Sequence, residues 1–145
     1  MSDDRAGGDD RPEPITDLDE LLESLTVSRR PATYSFVGPL PVEQLPAPGT
    51  PGIDALVREE EGWTVVGELG ALDEGGWTPA LACAWLTLDV HSALEAVGLT
   101  AAVAAVLTER GIPANVLAAH LHDHLLVPVD RADDAVAAIE GLATG

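Results

Sequence analysis

Two patterns in this chain predict an α+β fold assembled from ferredoxin-like βαββαβ-type units. From residue 81 onward the hydrophobic periodicity runs strand, helix, strand, strand, helix, which is that unit without its last strand. The first half adds strand-like runs around Tyr34 and Val65 that can complete such a sheet. Each half alone would leave an unfinished sheet edge, and setting them side by side closes one edge and buries more apolar surface. The expected architecture is therefore two related units forming one continuous antiparallel sheet with helices on one face. The expected divisions are a disordered acidic leader at 1–14, an N-terminal unit at 15–80 and a C-terminal unit at 81–145.

The elements follow in order. Thr16 is read as an N-cap ahead of Leu18, Leu21, Leu22 and Leu25, whose i, i+3, i+4, i+7 spacing makes a short amphipathic helix. Residues 33–37 suit a strand, and the five prolines within 38–52 mark a loop. Residues 53–60 are read as a short helix. The run Trp63-Thr-Val-Val66 is β-branched and reads as a strand, followed by a polar, Gly-rich connection through Gly76. Residues 84–90 alternate Trp85, Thr87 and Asp89 against Leu86, Leu88 and Val90, the pattern of a strand with one buried face. A helix then sets Leu99, Ala102, Val103, Val106 and Leu107 on one stripe. Gly111-Ile112-Pro113 stops it: glycine takes the left-handed cap, isoleucine folds back, and proline forbids continuation. Residues 115–119 and 125–129 read as two strands flanking a hairpin at His120-Leu-His-Asp-His124. Asp130 is read as the cap of a last helix with Ala132, Ala135, Val136, Ile139 and Leu142 inward.

Composition narrows the function. At 145 residues and 46% hydrophobic, the chain suffices for one compact domain or two small repeats sharing a core. With 3% aromatic residues, that core must be Leu, Val and Ala. The net charge is −18, and all seven cations are Arg. Apart from Arg29-Arg30 they do not cluster, so neither nucleic acid nor an anionic membrane surface is an expected partner. The single cysteine, Cys83, rules out an intramolecular disulfide and reads as a buried, inert thiol. No apolar run approaches the ~20 residues of a membrane span, and the acidic N-terminus is unlike a basic signal peptide. A cytoplasmic protein is expected.

Residues 86–100 carry the main functional signal. A strand running through a turn into an Ala-rich helix aims backbone N–H groups and a positive helix end at one small volume, which suits a carboxylate. Amino-acid recognition needs that and an acceptor for the ammonium. N–H groups around residues 96–99 could serve the first, with Gly98 leaving room, and Asp89 or Asp123 the second. Ser92-Ala-Leu-Glu95 also has capping-box spacing, which gives both side chains a structural role. Glu59-Glu60-Glu61 and Asp133-Asp134 read as solvated faces, and Trp63 and Trp85 as core or interface.

Several of these runs resemble the small stand-alone bacterial ACT-domain proteins. They are Val90-His-Ser-Ala-Leu-Glu-Ala-Val-Gly-Leu-Thr100, Gly111-Ile112, Asn115-Val116, and His122-Asp-His-Leu-Leu-Val-Pro-Val129 followed by Arg131-Ala132. The likeness reaches back through Glu59-Glu-Glu-Gly-Trp-Thr-Val-Val66 and Thr16-Asp-Leu-Asp-Glu-Leu-Leu22. A tandem arrangement is similar to the regulatory region of aspartate kinases and to the cytosolic arginine sensors. It implies a ferredoxin-like fold that binds small molecules, typically amino acids, at the loop after the first strand and across the interface between domains. Where the family commonly has an aromatic pair before His-Asp-His, this chain has His120-Leu121, and Trp77 is unmatched.

The expectation is a non-catalytic regulatory module with no cofactor, a small-molecule ligand, and possible homodimers through a sheet edge or domain interface. The ligand-binding set is Asp89, Val90, His91, Ser92, Val97, Gly98, Leu99, Asn115, His122 and Asp123. One alternative is a metal-binding protein or metal-dependent enzyme using His120, His122 and His124, with His91 as a fourth ligand. Alternate residues on a strand stand about 6.6–7 Å apart, so these rings would have to converge sharply to meet one ion at ~2.1 Å. The other alternative is an oligomerisation module without a ligand.

Overall fold

The computed structural model describes residues 17–90 and 98–144. Their elements are α1 (Leu18–Ser24), β1 (Val27–Leu40), β2 (Ile53–Glu59), β3 (Gly62–Glu68), α2 (Leu69–Glu74), β4 (Cys83–Leu88), α3 (Leu99–Glu109), β5 (Asn115–Ala118), β6 (Asp123–Pro128) and α4 (Ala132–Glu140). The strands form one six-stranded sheet in the order β2-β3-β1-β4-β6-β5, and every neighbouring pair is antiparallel. The chain is thus an α+β protein of two ferredoxin-like units that share a sheet. Each unit supplies three strands in the same relative order, β2-β3-β1 and β5-β6-β4, joined through the central β1–β4 pair. That pair runs from Val27 opposite Leu88 to Tyr34 opposite Cys83. Each unit lacks a fourth strand, and the first strand of the other unit stands in its place.

Leu86 and Leu88 on β4 pack with Leu21 and Leu25 at α1, Val103 and Leu107 on α3, and Ala135 and Ile139 on α4, all 2% exposed or less. Burying one such leucine is worth roughly 1.5–3 kcal/mol, so this cluster is the main source of stability. Leu72 of α2 caps a smaller cluster with Val37 and Val65. Cross-strand partners share a face, and Thr33 opposes Ala84. Val37, two residues on from Ser35 and four from Thr33, therefore lies on the same side as Ala84, and all four helices cover one face.

The helix ends follow local chemistry. Asp17 caps α1 by accepting the Glu20 N–H at 3.0 Å, while Thr16, expected there, lies outside the described residues. α3 ends as expected, with Gly111 at φ 66° and the Ile112 N–H returning to the Leu107 carbonyl at 3.0 Å. Asp130 does not cap the last helix. It stands inside a 3-10 turn, Val129–Arg131, and α4 begins after Arg131 without a side-chain cap. Arg131 instead binds Asp134 (3.4 Å) and the Arg110 carbonyl (3.0 Å).

The first unit departs further from expectation. Residues 53–60 do not form a helix: Ile53–Glu59 is the edge strand β2, because pairing with β3 satisfies a backbone whose local sequence favours neither state strongly. β1 extends well beyond residues 33–37, with a register irregularity between Arg29 and Thr33, around Pro31. The proline-rich stretch is correspondingly shorter and contains a 3-10 turn at Val42–Gln44 where the second unit has α3. The connection after β3 includes α2. β4 is buried on both faces, since Cys83 and Trp85 are 0% and 3% exposed. Among the described residues no helix is long and apolar enough to cross a membrane.

Candidate functional site

The site begins where β4 ends. The Asp89 N–H still bonds the carbonyl of Thr26, just ahead of β1, at 2.8 Å, and Asp89 is exposed. The Ser28 hydroxyl donates to that carboxylate at 3.1 Å, so a side chain of the first unit orients one in the second. α3 starts at Gly98, whose φ of 100° suits glycine alone. A Cβ there would stand 2.9 Å from Leu18 Cδ2. Gly98 is thus a turn and packing glycine. Among the described residues the α3 N-terminus has no side-chain cap hydrogen bond and no acid in its first turn, unlike α1, which has Asp17, Asp19 and Glu20. Its first N–H groups and dipole remain suited to an anion. Val90 and Leu99, at 7% and 4% exposed, belong to the core beneath. His91, Ser92 and Val97, with Glu95, lie outside the described residues.

The β5–β6 hairpin brings in the remaining expected residues unequally. Thr87 opposes His124, and continuing that register sets Asp89 beside His122. His122 Nδ1 is buried without a hydrogen-bond partner among the described residues. Asp123 is half-buried at the start of β6. Asn115 pairs with Leu126, in the rung that holds Trp85, and so sits farther down the sheet from Asp89.

The histidines do not converge. His120 is exposed in the hairpin turn. His122 and His124 meet edge to face with centroids 6.4 Å apart. His124 Nδ1 is already engaged by the Trp85 indole N–H at 3.2 Å and lies 2.9 Å from the Thr87 hydroxyl. An indole N–H only donates, so this nitrogen accepts and the His124 proton sits on Nε2. Burial, then the positive Arg30 and neighbouring His122, push the His124 pKa below its ordinary value and keep the ring neutral. Among the described residues no group of three or more His, Cys, Asp or Glu side chains could hold a metal ion. Burial raises the Cys83 pKa, so this thiol, 3.4 Å from the Leu81 carbonyl, stays protonated.

Sequence reasoning missed the organisation of the helix-free face. Of three Trp, one Tyr and one Phe in the chain, Trp85, Tyr34 and Phe36 belong to one cluster there. The Arg30 guanidinium lies 3.9 Å from the Trp85 ring centroid and 5.7 Å from that of Tyr34. Its Nη1 donates to Asp54 Oδ1 at 2.8 Å. Burial would lower the Arg30 pKa, but Tyr34 and Asp54 more than offset this and hold the group charged. Asp54 is on β2 and Trp85 on β4, with β3 and β1 between them. Arg30, on β1, reaches past β3 to Asp54 and lies over Trp85, and with Tyr34 and His124 it covers the indole without a helix above it. The adjacent Arg29-Arg30 was the one sequence signal, and Asp54 gave none.

Comparison with known proteins matches this geometry to a family. The model of the ACT domain matches residues 81–141, and a second ACT-domain model matches residues 13–78. No curated protein matches the chain. Among solved structures, a Vibrio cholerae protein of unknown function, described as a possible transport protein, is 35% identical with a TM-score of 0.74. The match covers 87% of this chain and 95% of that one. An Agrobacterium tumefaciens protein aligns at 14% identity and TM-score 0.61 over 82% of this chain and 89% of that one. The ligand-free regulatory subunit of aspartate kinase from Thermus thermophilus has 11% identity and a TM-score of 0.56, over 80% and 95% of the two chains, a likeness of fold.

Proposed function

Because the chain belongs to the ACT-domain family, with two such domains in tandem, we propose that it is a non-catalytic regulatory module whose ligand is a free amino acid bound where β4 meets α3. One observation carries this reading. Among the described residues no side chain caps the N-terminus of α3, which leaves its first N–H groups as donors, and the Asp89 carboxylate held by Ser28 offers an acceptor at the end of β4, the strand that precedes α3. A zwitterion needs that pairing: carboxylate at the helix end and ammonium at Asp89. His122, with an unpartnered buried ring nitrogen beside the Asp89 rung, and Asp123 supply further polar contacts. His91, Ser92 and Val97, which lie outside the described residues, complete the proposed set. Occupancy would be passed on through the β1–β4 junction, because Ser28 belongs to one unit and Asp89 to the other.

The test is a thermal-shift screen of the whole chain against the twenty amino acids. A ligand at 100 times its Kd stabilises by about 2.7 kcal/mol. The expected result is a shift with one or a few related amino acids, lost in Asp89→Asn with the unliganded midpoint little changed. No shift with any amino acid, or shifts that Asp89→Asn leaves intact, would rule out this site.

A further inference from the structure

The two units use equivalent backbone to build opposite chemistry. Phe36 opposes Val66 as Trp85 opposes Leu126, and Val57 opposes Thr64 as Leu117 opposes His124. Phe36 and Thr64 are therefore the first unit's counterparts of Trp85 and His124. The hairpin position that carries His120 and His122 in the second unit carries Glu59-Glu60-Glu61-Gly62 in the first. In the second unit the space beside this hairpin is filled by the Trp85–His124 contact and the Arg30 guanidinium. In the first unit a cavity of about 520 Å³ remains, within the size range of small-molecule sites.

Its walls combine Phe36, Val37 and Pro39 with Thr64 and the exposed residues Glu59 and Glu61. The Thr64 hydroxyl donates to Glu59 Oε1 at 2.6 Å, which fixes that carboxylate at the cavity wall and leaves its second oxygen available. No arginine lines the cavity among the described residues, whereas in the second unit Arg30 sits over the equivalent aromatic ring. Two glutamates with no ion pair among the described residues, beside an apolar wall, fit a cation with a short hydrocarbon body, and the net charge of −18 draws cations toward the chain.

We propose that this cavity is a second ligand site, selective for a small primary alkylammonium ion, with the ammonium at Glu59 and Glu61 and the alkyl chain against Phe36 and Pro39. It is separate from the amino-acid site at the β4–α3 junction and does not depend on it.

The test is isothermal titration of the whole chain with n-butylammonium chloride at physiological salt, with sodium and calcium chloride as comparison cations. Saturable one-to-one binding is expected, weakened at least tenfold by the Glu59→Gln/Glu61→Gln double variant. Glu60→Gln, Asp133→Asn and Asp89→Asn should leave it unchanged, the last separating this site from the amino-acid site. Circular dichroism of the double variant checks that the fold persists, and Phe36→Ala should weaken butylammonium more than it weakens ammonium. Absence of saturable binding would overturn the proposal. So would an equal loss in every acid-neutralised variant, the mark of diffuse counterion attraction, or a stronger response to sodium or calcium.

Discussion

Replacing Arg30 with methionine tests whether this side chain ties β2 to β4 across the helix-free face. The substitution keeps an unbranched apolar stem against Trp85 and removes the charge from both the ring, 3.9 Å away, and Asp54, 2.8 Å away. A cation over an indole face contributes about 0.5–1 kcal/mol when exposed and about 2 when desolvated. The Arg30 and Asp54 side chains are 37% and 27% exposed, so solvent screens both interactions. The ion pair then adds about 0.2–1 kcal/mol. The combined loss should be about 1–2 kcal/mol, a fall in Tm of roughly 2–8 °C for a chain of this size. Urea denaturation of the parent, Arg30→Met, Asp54→Asn and the double variant would measure it. Their cycle should return a coupling of about 0.5–1 kcal/mol. A stability change in Arg30→Met of less than about 0.3 kcal/mol, or additive single variants, would refute the idea that this latch ties β2 to β4.

Two further outcomes are expected. Gly98→Ala should cost about 1–3 kcal/mol by denaturant titration, since alanine is strained at φ 100° and its Cβ meets Leu18; an unchanged midpoint would contradict the described turn. Stability should fall as pH drops below the ordinary histidine value of 6.5, because the unfolded chain protonates first while folded His124, with its pKa lowered, resists until lower pH. Above 6.5 this group should contribute no slope, and between 6.5 and the folded pKa its contribution should vanish in His124→Gln; an identical profile in that variant would exclude His124 as the cause.

The C-terminal unit was legible because its signals are local. Gly111-Ile112-Pro113 encodes the end of α3, and Leu99, Val103 and Leu107 encode its buried face. The first unit was less legible because its structure is decided at a distance. Ile53 to Glu59 has no strong local preference and becomes a strand through pairing with β3. Trp85 reads as core or interface and is buried, but what covers it was not visible, because Arg30 lies 55 positions earlier in the sequence. Asp89 and the β4–α3 junction could be proposed as a site from sequence because strand-turn-helix is a local pattern. The Arg30–Asp54 pair and the cavity at Glu59 could not, since both depend on which strands pair and in what register.

The way each unit takes its fourth strand from the other makes the chain a dimer with itself. A short linker holds such partners at an effective concentration in the millimolar range, so the pairing of β1 with β4 does not depend on protein concentration. Tethering also frees the two halves from identity. In a two-fold homodimer every substitution appears twice, once at each equivalent place. Here a histidine hairpin in one unit has an acidic counterpart in the other, at the opposite edge of the sheet, a division of labour that no symmetric pair of identical subunits could carry.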